Sequence, residues 1–198
     1  MAGRDRNFKD FIVGNAFGLI GSNLLMGTLS SLVPSVSLNI FLLFMAITLV
    51  ETVIAWIWWR RGMELVRYNS LTAFLLCMTV GLFMVFPLLR ITHGIPLFWV
   101  TFAVYALMIL YALIKRETIF QAFHKPANSR IAKGTVIVLI LFLLLGALSF
   151  RHGQEMVILA SMNDQQGALF VSSFTYSLGL LVTFVSTALL KKPSEIKN

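Results

Sequence analysis

The chain has 198 residues, 58% of them apolar and 12% charged, with seventeen Phe and a net charge of +8. A soluble core of this size cannot enclose so much apolar surface, so an ordinary soluble domain is excluded. The basic residues sit in short gaps between apolar runs, which points to lipid headgroups rather than nucleic acid as their counter-charge, and a single cysteine, Cys77, rules out an intrachain disulfide.

From Phe11 to Val50 no residue is ionisable, a run of forty positions. One helix needs roughly 20 residues to cross ~30 Å of hydrocarbon, so the run must turn once. Pro34-Ser35-Val36-Ser37 supplies the break, because proline removes a backbone donor and disfavours helix in the residue before it. The first span is expected over 11–33 and the second over 38–59. A loop carrying Arg60, Arg61, Glu64 and Arg67 follows, then a third span over 71–89 with Pro87 near its end.

Arg90 to Ile95 reads as a turn, and the fourth span as 96–114. Lys115 to Lys133 is the longest polar segment, with five basic residues and one acid. Its first half is expected to be helical. Ile119, Phe120 and Phe123 would lie on the membrane surface while Lys115, Arg116 and Lys125 face headgroups, until Pro126 stops the helix. The fifth span, 135–150, is almost purely aliphatic apart from Gly146 and is expected to face lipid. The sixth covers 167–190.

Fourteen of the sixteen Lys and Arg residues fall in alternate gaps between these spans; the remaining gaps hold only Arg90 and Arg151. Basic residues in short loops stay on the cytoplasmic side, so the pattern predicts an even span count with both ends inside. Trp56, Trp58 and Trp59 at one boundary, and Phe98 and Trp99 at the other, suit the interface. No small-x-small cleavage site follows the first apolar run at Ser30-Ser31-Leu32-Val33, so a cleavable signal is not expected. The expected fold is an all-α integral membrane protein, a single domain over 1–198 of six transmembrane helices with short loops, N-in and C-in, in a bacterial-type cell membrane.

Glu51 is the one ionisable residue well inside a span, roughly 12 Å from Trp59 along the helix axis. A charged group at a helix centre costs about 2.5 to 3.5 kcal/mol unless it is neutralised, paired or wetted. No Lys, Arg or His lies at that depth in the sequence, which leaves Asn15, Asn23 or a hydroxyl as partners. In the sixth span Ser172, Tyr176, Gly179, Thr183 and Ser186 recur at steps of four, three, four and three, along one helical stripe. Such a stripe is either a packing seam or a polar lining. Glu51, Asn15, Asn23, Ser172, Tyr176 and Thr183 are therefore the candidate proton or ligand site.

Gly14, Gly18 and Ser22, with Gly21 alongside, give the first span a small-residue face, suited to close packing within the chain or to docking a second subunit. His152 and Glu155 have an H-x-x-E spacing, but two ligands do not make a metal site, and the apolar run from Met156 to Ala160 is expected to form a short interfacial helix. No hydrolase, metalloprotease or phosphate-binding motif occurs, so no catalytic residue, metal or cofactor is expected. The expected partners are the lipid bilayer and either a membrane protein or a second copy of the chain, not nucleic acid. Two functions fit: a small transporter or permease component, or a non-transporting accessory protein that holds a partner through the first span and the basic loop.

Six short-looped helices with a small-residue seam in the first loosely resemble the substrate-binding subunits of energy-coupling-factor vitamin transporters. Asn7-Phe8-Lys9-Asp10-Phe11 and Phe123-His124-Lys125-Pro126-Ala127 resemble segments of some major facilitators. That family carries a glycine, acid and arginine signature between spans two and three, where this chain reads Arg60-Arg61-Gly62-Met63-Glu64-Leu65-Val66-Arg67. Neither resemblance transfers a residue role.

Overall fold

The computed structural model describes residues 8–12, 16–148, 150–151, 155–156 and 161–191. Its helices are α1 (Phe8–Phe11), α2 (Phe17–Leu32), α3 (Leu38–Arg60), α4 (Leu65–Thr92), α5 (Pro96–Ile114), α6 (Arg116–His124), α7 (Arg130–Leu148) and α8 (Asp164–Ser186). A 3-10 turn, Thr187–Leu190, extends α8. Beside these stands one short antiparallel ladder, β1 (Phe150–Arg151) with β2 (Glu155–Met156), in which Phe150 faces Met156 and Arg151 faces Glu155.

Four of the helices, α3, α4, α5 and the extended α8, are long and apolar enough to cross a membrane, and α2 is a shorter apolar helix. Their outward surfaces suit lipid. Leu49 on α3, Leu107 on α5 and Leu143 on α7 are 68%, 64% and 72% exposed, and each stands among other exposed aliphatic side chains. A contiguous apolar surface of that kind is foreign to a soluble monomer.

Several boundaries differ from those the sequence suggests. α4 begins at Leu65 rather than near residue 71, and Arg67 and Ser70 in its first turns donate to the carbonyls of Leu190 and Leu189. Two polar side chains thereby satisfy carbonyls at the end of the last described helix. Similarly, α8 begins at Asp164 rather than 167. Asn163 accepts from the Gln166 backbone N–H at 2.8 Å while the Gln166 side chain accepts from Asn163 N at 3.2 Å, a reciprocal capping box. α7 starts at Arg130, five residues before the apolar run.

α4 is the hub. It packs most extensively against α8, and also against α2, α3 and α5. Gly94, with φ of +88°, makes the turn into α5, whose first residue Pro96 has its φ preset for helix. At the opposite end Phe11, Ala16, Ala55 and Tyr68 form a small buried cluster. Trp56, Trp58 and Trp59, placed by the sequence at a lipid interface, pack against this cluster: Trp56 meets Phe8 and Phe11 edge-on at 5.1 and 5.0 Å, and Trp59 packs on Tyr68 at 5.2 Å.

Two loop expectations are corrected. Ile119 is fully buried against the protein, where α6 packs on the Thr187–Leu190 turn, so it does not rest on the membrane surface. Met156 belongs to the β1–β2 ladder, which displaces the start of the expected interfacial helix; residues 157–160 lie outside the described residues.

Candidate functional site

Glu51 lies in the middle of α3, and the helices on either side turn hydrogen-bond donors toward it. Asn23 of α2 donates from Nδ2 to Glu51 Oε2 at 2.7 Å, and Thr79 of α4 donates from its hydroxyl to Oε1. Asn23 is fully buried and Glu51 is 7% exposed. Three helices thus meet on one carboxyl. Thr79 is the partner that sequence reading did not single out, since nothing separates it from the other hydroxyls of the third span until α4 is placed against α3.

Both carboxyl oxygens are served, and no basic side chain among the described residues pairs with Glu51; the one ion pair among them is Lys191 with Glu117, far along the chain. The side-chain oxygen of Asn23 has no partner among the described residues. Asn15, grouped with these residues on sequence grounds, lies outside the described residues.

Ser172, Tyr176 and Thr183 are buried, as are Gly179 and Ser186 of the same stripe, but they do not join Glu51. They lie on α8, which covers a different part of α4. At Gly179 a Cβ would stand 2.7 Å from the Gly81 carbonyl oxygen, so the two backbones touch, and Thr183 sits directly over Gly81. Tyr176 crosses to α5, donating to the Thr101 carbonyl at 2.8 Å. The stripe is therefore a packed seam built around two glycines.

The small-residue face of α2 behaves differently. Gly18 and Gly21 are exposed, with nothing within 4 Å of where a Cβ would be. Gly14 lies outside the described residues and Ser22 is half-buried. Packing among the described residues does not account for Gly18. The glycine that does permit close approach in α2 is Gly27, where a Cβ would lie 3.2 Å from Phe44 Cβ and 3.3 Å from the Phe83 ring.

One further polar element fixes the end of α2. Arg90 of α4 donates from one terminal nitrogen to the carbonyls of Ser31 (3.2 Å) and Val33 (2.7 Å), and from the other to that of Ser35 (2.9 Å). A cation placed on the orphan carbonyls of a helix C-terminus both bonds them and opposes the helix dipole. As for His152 and Glu155, the histidine lies outside the described residues and Glu155 is held in the ladder opposite Arg151.

Compared with known proteins, the chain matches no family model, no curated protein and no solved structure.

Proposed function

We propose that the chain is a six-span protein of the cytoplasmic membrane with both ends inside, and that Glu51 is a proton-binding centre within a small transport component. In this reading α1 and α2 together form the first span and α7 the fifth, joining the four longer helices. The alternate placement of Lys and Arg supports the orientation.

The observation that carries the functional part is the mid-span carboxyl with two donors and, among the described residues, no basic side chain paired with it and an adjacent amide oxygen without a partner. An ionised Glu51 accepts from Asn23 and Thr79 as it stands. A protonated Glu51 becomes a donor and needs an acceptor. Turning over the Asn23 amide offers its carbonyl oxygen for that bond, and the Thr79 hydroxyl continues to donate to the other carboxyl oxygen. Both protonation states thus find hydrogen bonds by a rotation inside the site. A proton also requires no cavity, which suits a site this closed better than a solute does.

The test is reconstitution into vesicles enclosing a pH-sensitive dye, with an imposed pH gradient. The wild type should pass protons and Glu51→Gln should not, while unfolding at a similar temperature. Equal fluxes in the two proteins, or none in the wild type, would remove the reading.

A second reading is favoured by the open face of α2. There the chain is an accessory protein whose exposed Gly18 and Gly21 accept the backbone of a partner helix. Under it Glu51→Gln is silent, and Gly18→Leu abolishes a co-purifying partner.

A further inference from the structure

At the end of the bundle where α4 stops and α5 begins, a groove of about 530 Å³ opens outward from the helices. α4 gives it a floor of Phe86 and Leu89, and Ile40 at the start of α3 forms one side. The other side is α5, whose Phe98 and Phe102 stack with ring planes 12° apart. The rim is basic: Arg90 lines it, together with the exposed His93, whose ring stands edge-on to Phe98 at 5.6 Å.

Arg90 has capacity left over from capping α2. Its three carbonyl acceptors take three of the five N–H donors of a guanidinium, so about two remain. No carboxylate among the described residues pairs with it. A guanidinium that pairs with no described carboxylate, at the mouth of an aromatic and aliphatic groove, is complementary to an anionic head on an apolar chain. The groove's size falls in the ~300–1,000 Å³ range of small-molecule sites. Its flanks continue into the exposed aliphatic faces of α3 and α5, which places both the source and the route of such a molecule in the bilayer.

We infer that this groove binds one anionic phospholipid, with the phosphate on Arg90 and His93 and an acyl chain along Phe86, Leu89, Phe98 and Phe102. The site rests on the chain being embedded in lipid and is independent of what Glu51 does. It explains why Arg90, one of only two basic residues in the sparsely charged gaps, stands beside an apolar groove. Arg suits the role better than Lys, because its fork can hold backbone carbonyls with some donors and a phosphate with others.

The experiment is native mass spectrometry of the full chain released from mild detergent, titrated with phosphatidylglycerol, phosphatidylcholine and inorganic phosphate in turn. One phosphatidylglycerol per chain should be retained about tenfold more tightly than phosphatidylcholine, which carries the same phosphate but whose choline cation is repelled by Arg90. Arg90→Gln should erase that preference. Because the same change loosens the α2 cap, Ile40→Trp provides a second arm that fills the groove and leaves every Arg90 bond in place; it should weaken both lipids about tenfold. Equal retention of the two lipids by the wild type, full binding by Ile40→Trp, or displacement of the lipid by millimolar inorganic phosphate would each overturn the assignment. So would a bound polypeptide in place of lipid.

Discussion

α4 is gripped on two sides by opposite means. Toward α2 and α3 it presents polar atoms: Thr79 donates to Glu51, and the Phe83 carbonyl accepts from the Ser30 hydroxyl at 2.6 Å. Toward α8 it presents the absence of side chains, Gly81 against Gly179 with backbones in contact. The difference shows two ways of joining helices where hydrophobic burial gives little, since lipid is as apolar as leucine. Dispersion across a close glycine crossing tolerates no added atom, whereas a shared carboxyl tolerates reshaping so long as its donors keep a partner.

The glycine side should be the more brittle. Gly179→Leu forces a Cβ to within 2.7 Å of the Gly81 carbonyl oxygen and 2.9 Å of Val85 Cγ2, both in the body of α4. Overpacking of this severity costs about 3 kcal/mol, and the variant should lose its cooperative thermal transition in detergent. Survival of that transition would mean that α8 can back away from α4, and the contrast between the two sides would collapse.

On the polar side, Glu51→Ala leaves Asn23 and Thr79 as buried donors without an acceptor, for a loss of about 2 kcal/mol, while Glu51→Gln should lose less than ~1 kcal/mol because the amide still accepts from one of them. Thermal unfolding of the pair in one detergent measures the gap. Identical midpoints would show that the carboxyl is structurally idle.

Smaller again is Tyr176→Phe, which removes a single hydrogen bond to the Thr101 carbonyl. The expected loss is about 0.6 to 1 kcal/mol, read from the same transition. Gly18→Leu should change stability by no more than ~0.5 kcal/mol, because its Cβ meets open space. A large destabilisation there would show that the exposed face is covered by something in the membrane.

Much of this frame was legible in the residues. Hydropathy and proline placed the helical hairpins, and the four-three spacing from Ser172 to Ser186 marked a face that the structure buries. Glu51 stood out because a lone acid in an apolar run has no cheap explanation, and Asn23 was within its short list of partners. What the sequence withheld depends on which helices become neighbours. Thr79 gains its role only when α4 lies beside α3, and Gly18 and Gly27, nine positions apart on one helix, differ only in what stands opposite them. Helix starts depart from the apolar pattern where polar residues open the helix, as at α4, whose Arg67 reaches across the fold to Leu190. The spacing of Asn163 and Gln166 was a readable capping signal that the apolar pattern concealed.

The weakest contact expected to leave a signature lies outside both sides of α4, where α6 holds the end of α8. Lys191 Nζ meets Glu117 Oε1 at 2.9 Å and lies 5.2 Å from the Phe120 ring centroid. Glu117 is well exposed, so the pair is screened by solvent and adds little to stability. Its hydrogen bond to Lys191, and then the Lys191 charge, hold the Glu117 carboxyl below the ordinary glutamate value. A folded-state pKa lowered in this way gives a contribution that is fully present above the unfolded value and is lost as pH falls through the folded one. Acidification should therefore loosen the Thr187–Leu190 turn from α6. Carbon NMR of the Glu117 carboxyl should titrate below an exposed reference glutamate, and Lys191→Gln should move the midpoint upward to meet it. An unmoved midpoint would show that the pair does not persist in solution, and that α6 is kept in place by its buried residues Ile119 and Ala122.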